Sequence, residues 1–164
     1  MVTKTTGNTT QDAVTPARVL RRFRVIFNSV RTHFREMEKQ AGLGGAQVWA
    51  LSIIKSNPGI GVGGLAQDMQ IHQSTASNLV KALQRRGYID MAKAPEDRRN
   101  VCLKIRPEGN KVLKNVTGPF EGVLPVALSE LRESTLKRLD KDLSKLIVLL
   151  NADESAEKIL LANS

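Results

Sequence analysis

The segment from Gln73 to Arg86 constrains the fold most, because its apolar and polar residues separate onto two sides of a helix. At 100° of rotation per residue, the apolar positions that fall together are Ala76, Leu79, Val80 and Leu83. The polar residues on the opposite side are Ser74, Ser77, Asn78, Lys81, Gln84 and Arg85. This separation predicts a helix that packs one side on a small domain and presents hydrogen-bonding groups, followed by cations, on the other.

A glycine and two short extended segments follow this helix. Gly87 is suited to end it as a C-terminal cap, and an extended segment begins at Tyr88. After the polar stretch 94–100, apolar and polar residues alternate from Val101 to Arg106, which is the pattern of a half-buried strand. These two segments therefore predict a basic hairpin tipped by adjacent arginines, which we expect to form part of a small three-stranded wing.

The outward face of the helix is suited to duplex DNA. Short polar side chains near the helix N-terminus can reach base edges in the major groove, while later cations can reach phosphates. The residues predicted to lie in the groove are Gln73, Ser74, Thr75, Ser77, Asn78 and Lys81, and those nearer the DNA backbone are Arg85 and Arg86. Two alternatives remain: an ordinary surface helix has the same two-sided pattern, and a winged helix that binds proteins would share the fold but present an apolar outward face.

The charge of the chain favours a polyanionic partner. The formal net charge is +9, and the segment 73–111 holds nine Lys and Arg residues against four Asp and Glu. No apolar run is long enough to span a membrane, and no apolar targeting region opens the sequence. We therefore expect a cytoplasmic protein that has no membrane partner.

The chain resembles the multiple-antibiotic-resistance regulator (MarR) family of winged helix-turn-helix repressors in two segments, LAQDMQIHQSTASNLVKALQRRGYI and APEDRRNVCLKIRPEG. The resemblance covers 16–150 and is most specific over 65–109. It implies a mainly α fold with a small β-wing, and a homodimeric repressor whose pseudo-palindromic operator has half-sites about 10 bp apart. It also implies that Arg98 or Arg99 enters the minor groove and that Asp97 holds this arginine in place. An activator or an architectural protein would use the same surface.

On this resemblance the chain divides into a disordered tail (1–15), an N-terminal dimerisation helix (16–44), a winged helix-turn-helix DNA-binding module (45–106) and C-terminal dimerisation helices (107–164). The apolar stripes at both ends are longer than one small core needs, which favours a second subunit. A Gly-Pro pair at 118–119 should kink or shorten the helix that follows the wing. The residues expected at the dimer interface are Phe23, Phe27, Val30, Leu139, Leu143 and Leu146.

The resemblance also implies a small aromatic or acidic effector. Members of the family commonly release DNA when such a molecule fills a crevice between the dimerisation helices and the winged module. The residues that could line this crevice are His33, Met37 and Trp49. Core packing would explain each of these residues equally well.

The chain departs from the family pattern around the first helix of the helix-turn-helix. Gly61 replaces the usual Ser or Thr cap, Gly64 replaces an acidic residue, and Gln70 occupies a turn position that usually holds a small residue. Glycine inside a helix costs about 0.5–1 kcal/mol relative to alanine. We therefore expect a softer first helix within an unchanged fold.

The sequence gives little support to an enzyme, and we expect no catalytic residue, cofactor or metal. His33 and His72 lie on different predicted elements without a nucleophile or a carboxylate pair, although His72 could cap the second helix or contact DNA. The glycines of 59–64 lack the Lys-Ser/Thr ending of a nucleotide-binding loop. The single cysteine, Cys102, excludes an internal disulfide. Its place on the polar side of its predicted strand leaves a redox-responsive regulator as an alternative.

Overall fold

The computed structural model describes residues 13–93 and 101–152. Its strands are β1 (Ile89–Lys93) and β2 (Val101–Ile105). Its helices are α1 (Pro16–Ala41), α2 (Gly45–Ser56), α3 (Val62–Asp68), α4 (Gln73–Arg85), α5 (Pro107–Lys114), α6 (Val123–Ser129) and α7 (Glu133–Leu149). This is the mainly helical fold with a small β-wing that the sequence predicted. The division of the chain into functional parts at 15, 44 and 106 stays a prediction, although a helix begins directly after each of these three positions.

Helix α1 joins the rest of the chain through its C-terminal half. At its N-terminus, Thr15 Oγ1 accepts a hydrogen bond from the Arg18 backbone N–H at 3.2 Å, and Pro16 occupies the first turn. Gly42 caps the other end in the left-handed conformation, with φ 65°. The buried residues of the helix are Val30, Phe34 and Met37. The N-terminal half therefore adds no buried side chain to the core.

The core lies between α2, α3, α4 and the two strands. Its fully buried large side chains include Leu51, Ile54, Leu65, Leu83, Ile89 and Leu103. Burying one such side chain stabilises a fold by about 1.5–3 kcal/mol. Helix α4 is therefore held by the same apolar cluster that holds α2, α3 and the wing.

A tight turn connects α3 to α4 at the predicted position of the helix-turn-helix. Gln70 has a positive φ of 54°, a conformation that usually needs glycine. Its backbone N–H donates to Gln67 O at 3.0 Å, and the Ile71 N–H donates to Ala66 O at 2.9 Å. This pair of bonds closes the end of α3 in a Schellman motif. At the other end, α3 begins after Gly61 with no side-chain cap, as the sequence predicted, while the softness of the helix stays a prediction.

The wing has two strands where the sequence predicted three. Strands β1 and β2 pair antiparallel, with Ile89 opposite Ile105 and Met91 opposite Leu103. The place of a third strand is taken by residues 59–60: Gly59 N–H donates to Leu103 O at 3.0 Å, and Leu103 N–H donates to the carbonyl of residue 60 at 2.9 Å. Two hydrogen bonds hold this segment beside β2 without extending it into a strand, so the predicted strand count was wrong.

The chain after the wing forms three separate helices. The expected interruption at 118–119 is confirmed, because α5 ends at Lys114 and α6 begins only at Val123. Helix α7 then runs for 17 residues and buries none of them within the chain. Among the described helices, none combines the length and the apolar character that crossing a lipid bilayer requires.

Candidate nucleic-acid interface

Helix α4 is anchored by the apolar side that the sequence predicted. Its buried residues are Ala76, Leu79, Val80 and Leu83, of which Leu79 is the most accessible at 9%. Because these four positions lie on one side, the opposite side of α4 is left largely exposed. The predicted orientation of this helix is therefore confirmed.

The opposite side of α4 carries polar residues in the predicted order. Four of the residues predicted to lie in the groove are exposed: Gln73, Ser74, Asn78 and Lys81. Thr75 and Ser77 lie at the edge of this face and are partly buried, and Ser77 Oγ donates a hydrogen bond to Gln73 O at 2.8 Å. The Ser77 hydroxyl therefore uses its proton within the helix, although its oxygen can still accept a hydrogen bond. A role for these residues in binding DNA stays a prediction.

The two ends of α4 differ in how they are capped. His72 occupies the N-cap position and is exposed, but its side chain makes no capping hydrogen bond, so the capping role considered for it was wrong. At the other end, Gly87 adopts a φ of 73°, and the Tyr88 N–H donates to Leu83 O at 3.0 Å. Gly87 thus ends the helix as the sequence predicted.

The paired arginines at the end of α4 have different surroundings. Arg85 is exposed, and no hydrogen bond or ion pair of its side chain is found within the described residues. Arg86 instead donates a hydrogen bond from Nη1 to the carbonyl oxygen of Gly42, at 3.1 Å. Sequence patterning had placed both side chains beside the DNA backbone, whereas the Arg86 side chain contacts the end of α1.

The predicted tip of the wing, with Asp97, Arg98 and Arg99, lies outside the described residues. At the base of the wing, Arg106 approaches Asp90 at 3.7 Å and Glu108 at 3.8 Å. These ion pairs are exposed on both sides, and such pairs contribute about 0–1 kcal/mol. They leave Arg106 less available to phosphates than its neighbour Lys104, which is exposed.

The three residues predicted to line an effector crevice differ in their surroundings. Met37 is buried in the core at 2% exposure. Trp49 lines a cavity of about 370 Å³ between α2, α5 and the segment before α6. His33 lines a different recess, and its Nε2 donates a hydrogen bond to Pro119 O at 2.8 Å. Among the described residues these side chains therefore line no common recess, and an effector crevice formed by all three stays a prediction.

The cavity beside Trp49 contains residues that sequence reasoning missed. Phe120 and Glu121 reach it from the segment that follows the Gly-Pro pair, and Lys55 and Asn57 reach it from the end of α2. The helix break at 118–119 was the available signal, because a chain that stops being helical can fold back on α2. No periodicity indicated where it would fold back.

The residues predicted for the dimer interface differ in exposure. Phe27 is 55% exposed and Leu146 is 37% exposed, whereas Val30 is only 7% exposed. Phe23, Leu139 and Leu143 are partly buried. Val30 therefore packs mainly in its own chain and offers little surface to a partner, while the other positions keep accessible apolar surface.

Cys102 lies in β2 opposite Ala92 and is partly buried. Its strand neighbour Leu103 is fully buried, so the predicted alternation of β2 places Cys102 on the less buried side. Within residues 13–93 and 101–152, no three side chains of His, Cys, Asp or Glu come together in a way that could hold a metal ion.

A helix-turn-helix followed by a two-stranded wing, with a polar outward face on its second helix, defines a winged helix-turn-helix protein. The model of the MarR family matches residues 45–101, which run from the start of α2 into β2. The segment 45–101 is therefore a winged module of the MarR type. This match agrees with the expectation of a regulator rather than an enzyme.

Two relatives are described as transcriptional regulators, and a solved structure has a similar fold. A protein of Thauera aromatica, described as a transcriptional regulator for the hcr operon, is 33% identical over 66 residues, which are 40% of this chain and 40% of that protein. The HTH-type transcriptional regulator YdgG of Bacillus subtilis is 27% identical over 109 residues, covering 65% of this chain and 72% of YdgG. A structure of Staphylococcus aureus MepR with DNA has a similar fold, with a TM-score of 0.56 at 21% identity, covering 80% and 97% of the two chains. The chain thus spans only two fifths of the length of the Thauera relative.

Proposed function

We propose that the chain is a sequence-specific transcriptional regulator that binds duplex DNA by inserting α4 into the major groove. The observation that carries this proposal is the contrast between the two sides of α4. Ala76 and Leu83 are fully buried, whereas Ser74, Asn78 and Lys81 are exposed. A helix anchored in this way can present polar side chains to base edges without losing its packing. Access to chromosomal DNA makes the cytoplasm the proposed compartment.

In this proposal the exposed residues of α4 divide by their chemistry. Gln73, Ser74 and Asn78 offer donors and acceptors near the helix N-terminus and contact base edges. Lys81 and Arg85 lie further along and contact phosphates, which adds affinity but little sequence preference. On the family resemblance alone, we propose that Arg98 or Arg99 enters the minor groove and that Asp97 holds this arginine in place.

We further propose that the chain acts as a homodimer. Leu20 and Phe27 of α1 are 51% and 55% exposed, and α7 buries no residue although it ends in a run of apolar side chains at 146–150. Exposed apolar surface on both terminal helices favours a second copy that covers it. A twofold axis would then present two α4 helices to one duplex, so we expect a pseudo-palindromic operator with half-sites about 10 bp apart.

The cavity beside Trp49 is the proposed effector site. Trp49 and Phe120 give it aromatic walls, and Lys55 at its rim could pair with a carboxylate. Asn57, also in its lining, donates from Nδ2 to Asp68 Oδ2 at 3.4 Å, which links the cavity to the end of α3. An aromatic acid bound here would release DNA if it bound the DNA-incompetent arrangement more tightly than the competent one. Release by such a ligand is the property of a repressor.

The effector proposal is tested by fluorescence, because Trp49 is the chain's one tryptophan. Titration with benzoate, as a simple aromatic acid, should change the emission of Trp49 and weaken DNA binding. Lys55→Gln should weaken both effects, whereas Lys111→Gln, which changes an exposed lysine outside the cavity lining, should leave them unchanged. If benzoate changes the Trp49 emission of Lys55→Gln as much as that of the wild type, Lys55 does not take part in binding the effector.

The proposed DNA-binding function is tested by selecting bound duplexes from a random library at about physiological salt. A specific dimeric regulator should enrich a pseudo-palindrome. Asn78→Ala, selected in parallel, should lose preference at a symmetric pair of positions within that motif. Enrichment of no motif, with affinity that simply fades as salt rises, would leave only non-specific binding by a basic surface.

A further inference from the structure

The contact between Arg86 and Gly42 joins the end of α4 to the end of α1. Arg86 Nη1 donates to the Gly42 carbonyl oxygen at 3.1 Å, while the Gly42 N–H donates to Glu38 O at 2.9 Å. The guanidinium therefore lies at the C-terminal end of α1, where the helix dipole is negative and carbonyl groups need donors. Both the charge and the hydrogen bond suit this position.

Gly42 belongs to the junction between α1 and the winged module. The three junction residues, between the end of α1 and the start of α2, are Gly42, Leu43 and Gly44. Leu43 is 3% exposed and fixes the middle of the junction in the core. Gly42 has a φ of 65°, and a Cβ on it would meet nothing within 4 Å. Arg86 therefore adds a restraint at Gly42 itself, where the backbone is bent and no side chain packs against the Cα.

We propose, on the basis of the DNA-binding dimer proposed above, that Arg86 is a positioning residue that sets the angle between α4 and α1. Because α1 carries the exposed apolar surface proposed for the dimer, this angle also sets the distance between the two α4 helices. Arg86 acts on DNA recognition through this distance and does not contact phosphate itself.

The length of α4 makes the position of its N-terminus sensitive to this angle. Arg86 directly follows α4, which has 13 residues and is therefore about 20 Å long. A tilt of about 10° around this end moves the N-terminus of the helix by about 3.5 Å. That displacement is close to the rise of about 3.4 Å per base pair along duplex DNA. A small change at Arg86 is thus enough to change which half-site spacing the dimer fits.

Arg85 provides a matched control for Arg86. The two residues are adjacent and equally charged, but only the Arg86 side chain has a hydrogen-bonding partner among the described residues. In the proposal, Arg85 contacts phosphate and Arg86 does not. Replacing each arginine by glutamine should therefore change a different property of DNA binding.

The test measures binding to operators whose half-sites are moved apart or together by one base pair, over a range of salt concentrations. Arg86→Gln should lower affinity for the correct spacing about fivefold, change affinity for the altered spacings less than about twofold and keep the salt dependence. Arg86→Lys, which retains a charged donor, should restore most of the spacing preference. Arg85→Gln should keep the spacing preference and reduce the salt slope by about one unit per subunit. A reduced salt slope with an unchanged spacing preference in Arg86→Gln would overturn the proposal and make Arg86 a phosphate contact.

A second measurement needs no DNA. In a Cys102→Ser background, spin labels at Arg35→Cys on α1 and Ser74→Cys at the N-terminal end of α4 report the angle between these helices within one chain, when labelled chains are diluted with unlabelled ones. Arg86→Gln should broaden or shift the distance distribution, and Arg86→Lys and Arg85→Gln should not. An unchanged distribution in Arg86→Gln would overturn the positioning role. If the wild type binds no preferred sequence, the proposed function fails, and the distance measurement still decides whether Arg86 holds the angle.

Discussion

The ring of Phe34 in α1 lies directly against the backbone of Gly45, the first residue of α2. A Cβ on Gly45 would come within 2.5 Å of Phe34 Cδ1, well inside van der Waals contact. The same ring approaches Gly122, where a Cβ would lie 3.0 Å from Phe34 Cζ. Two glycines therefore allow one aromatic side chain to join α1 to α2 and to the segment before α6.

Gly45→Ala should destabilise the protein by about 1–3 kcal/mol, because the added methyl group overpacks the Phe34 site. Urea unfolding followed by circular dichroism measures this change. The matched control is Gly44→Ala, where a Cβ would have only Glu38 Oε1 nearby, at 3.9 Å. Because Gly44 is the N-cap of α2, where glycine is preferred to alanine, that variant should cost about 0.5 kcal/mol, less than Gly45→Ala. Equal effects of the two substitutions would show that the Phe34 contact does not limit position 45.

Gln70→Gly should stabilise the protein by about 1 kcal/mol, because the left-handed conformation of Gln70 costs free energy that glycine does not lose there. The gain is limited because glycine also increases the entropy of the unfolded chain. Gln67→Gly, three residues earlier inside α3, should instead cost about 1 kcal/mol. Thermal unfolding of both variants checks the opposite signs. Destabilisation by both substitutions would contradict the strain assigned to Gln70.

Phe27→Asp should dissociate the dimer, because it places a charge within the exposed apolar stripe of α1. Val25→Asp is the matched control: Val25 is 61% exposed on the same helix, but its position is rotated by about 200° from Phe27. Sedimentation velocity should give a monomer for the Phe27 variant and a dimer for the Val25 variant. A dimer in both cases would place the interface elsewhere.

Helix α4 could be predicted from the sequence because its pattern of apolar and polar residues is local. The spacing of Ala76, Leu79, Val80 and Leu83 fixes one side of one helix, and the burial of all four follows from it. The same holds for the helix end at Gly87 and for the start of α1 at Pro16, since both depend on the conformational preference of a single residue.

Contacts between distant segments could not be predicted in this way. Arg86 and Gly42 are 44 residues apart, and nothing in the spacing of charges distinguishes an arginine that faces DNA from one that caps another helix. Met37 and Trp49 show the same limit, because both are apolar residues on helices, yet one is in the core and the other lines a cavity. Tertiary packing decides between these outcomes.

The central proposal, that the exposed side of α4 reads DNA, is tested most directly by comparing Asn78→Ala and Lys81→Gln on the selected duplex. Equilibrium binding is measured over a range of salt concentrations, with the selected sequence and with single base-pair substitutions in it. We expect Asn78→Ala to lose about 1–3 kcal/mol of discrimination at one base pair per half-site and to keep the salt slope. We expect Lys81→Gln to keep the discrimination and to reduce the slope by about one unit per subunit. Wild-type behaviour of both variants would contradict the proposal, because DNA would then be bound by another surface.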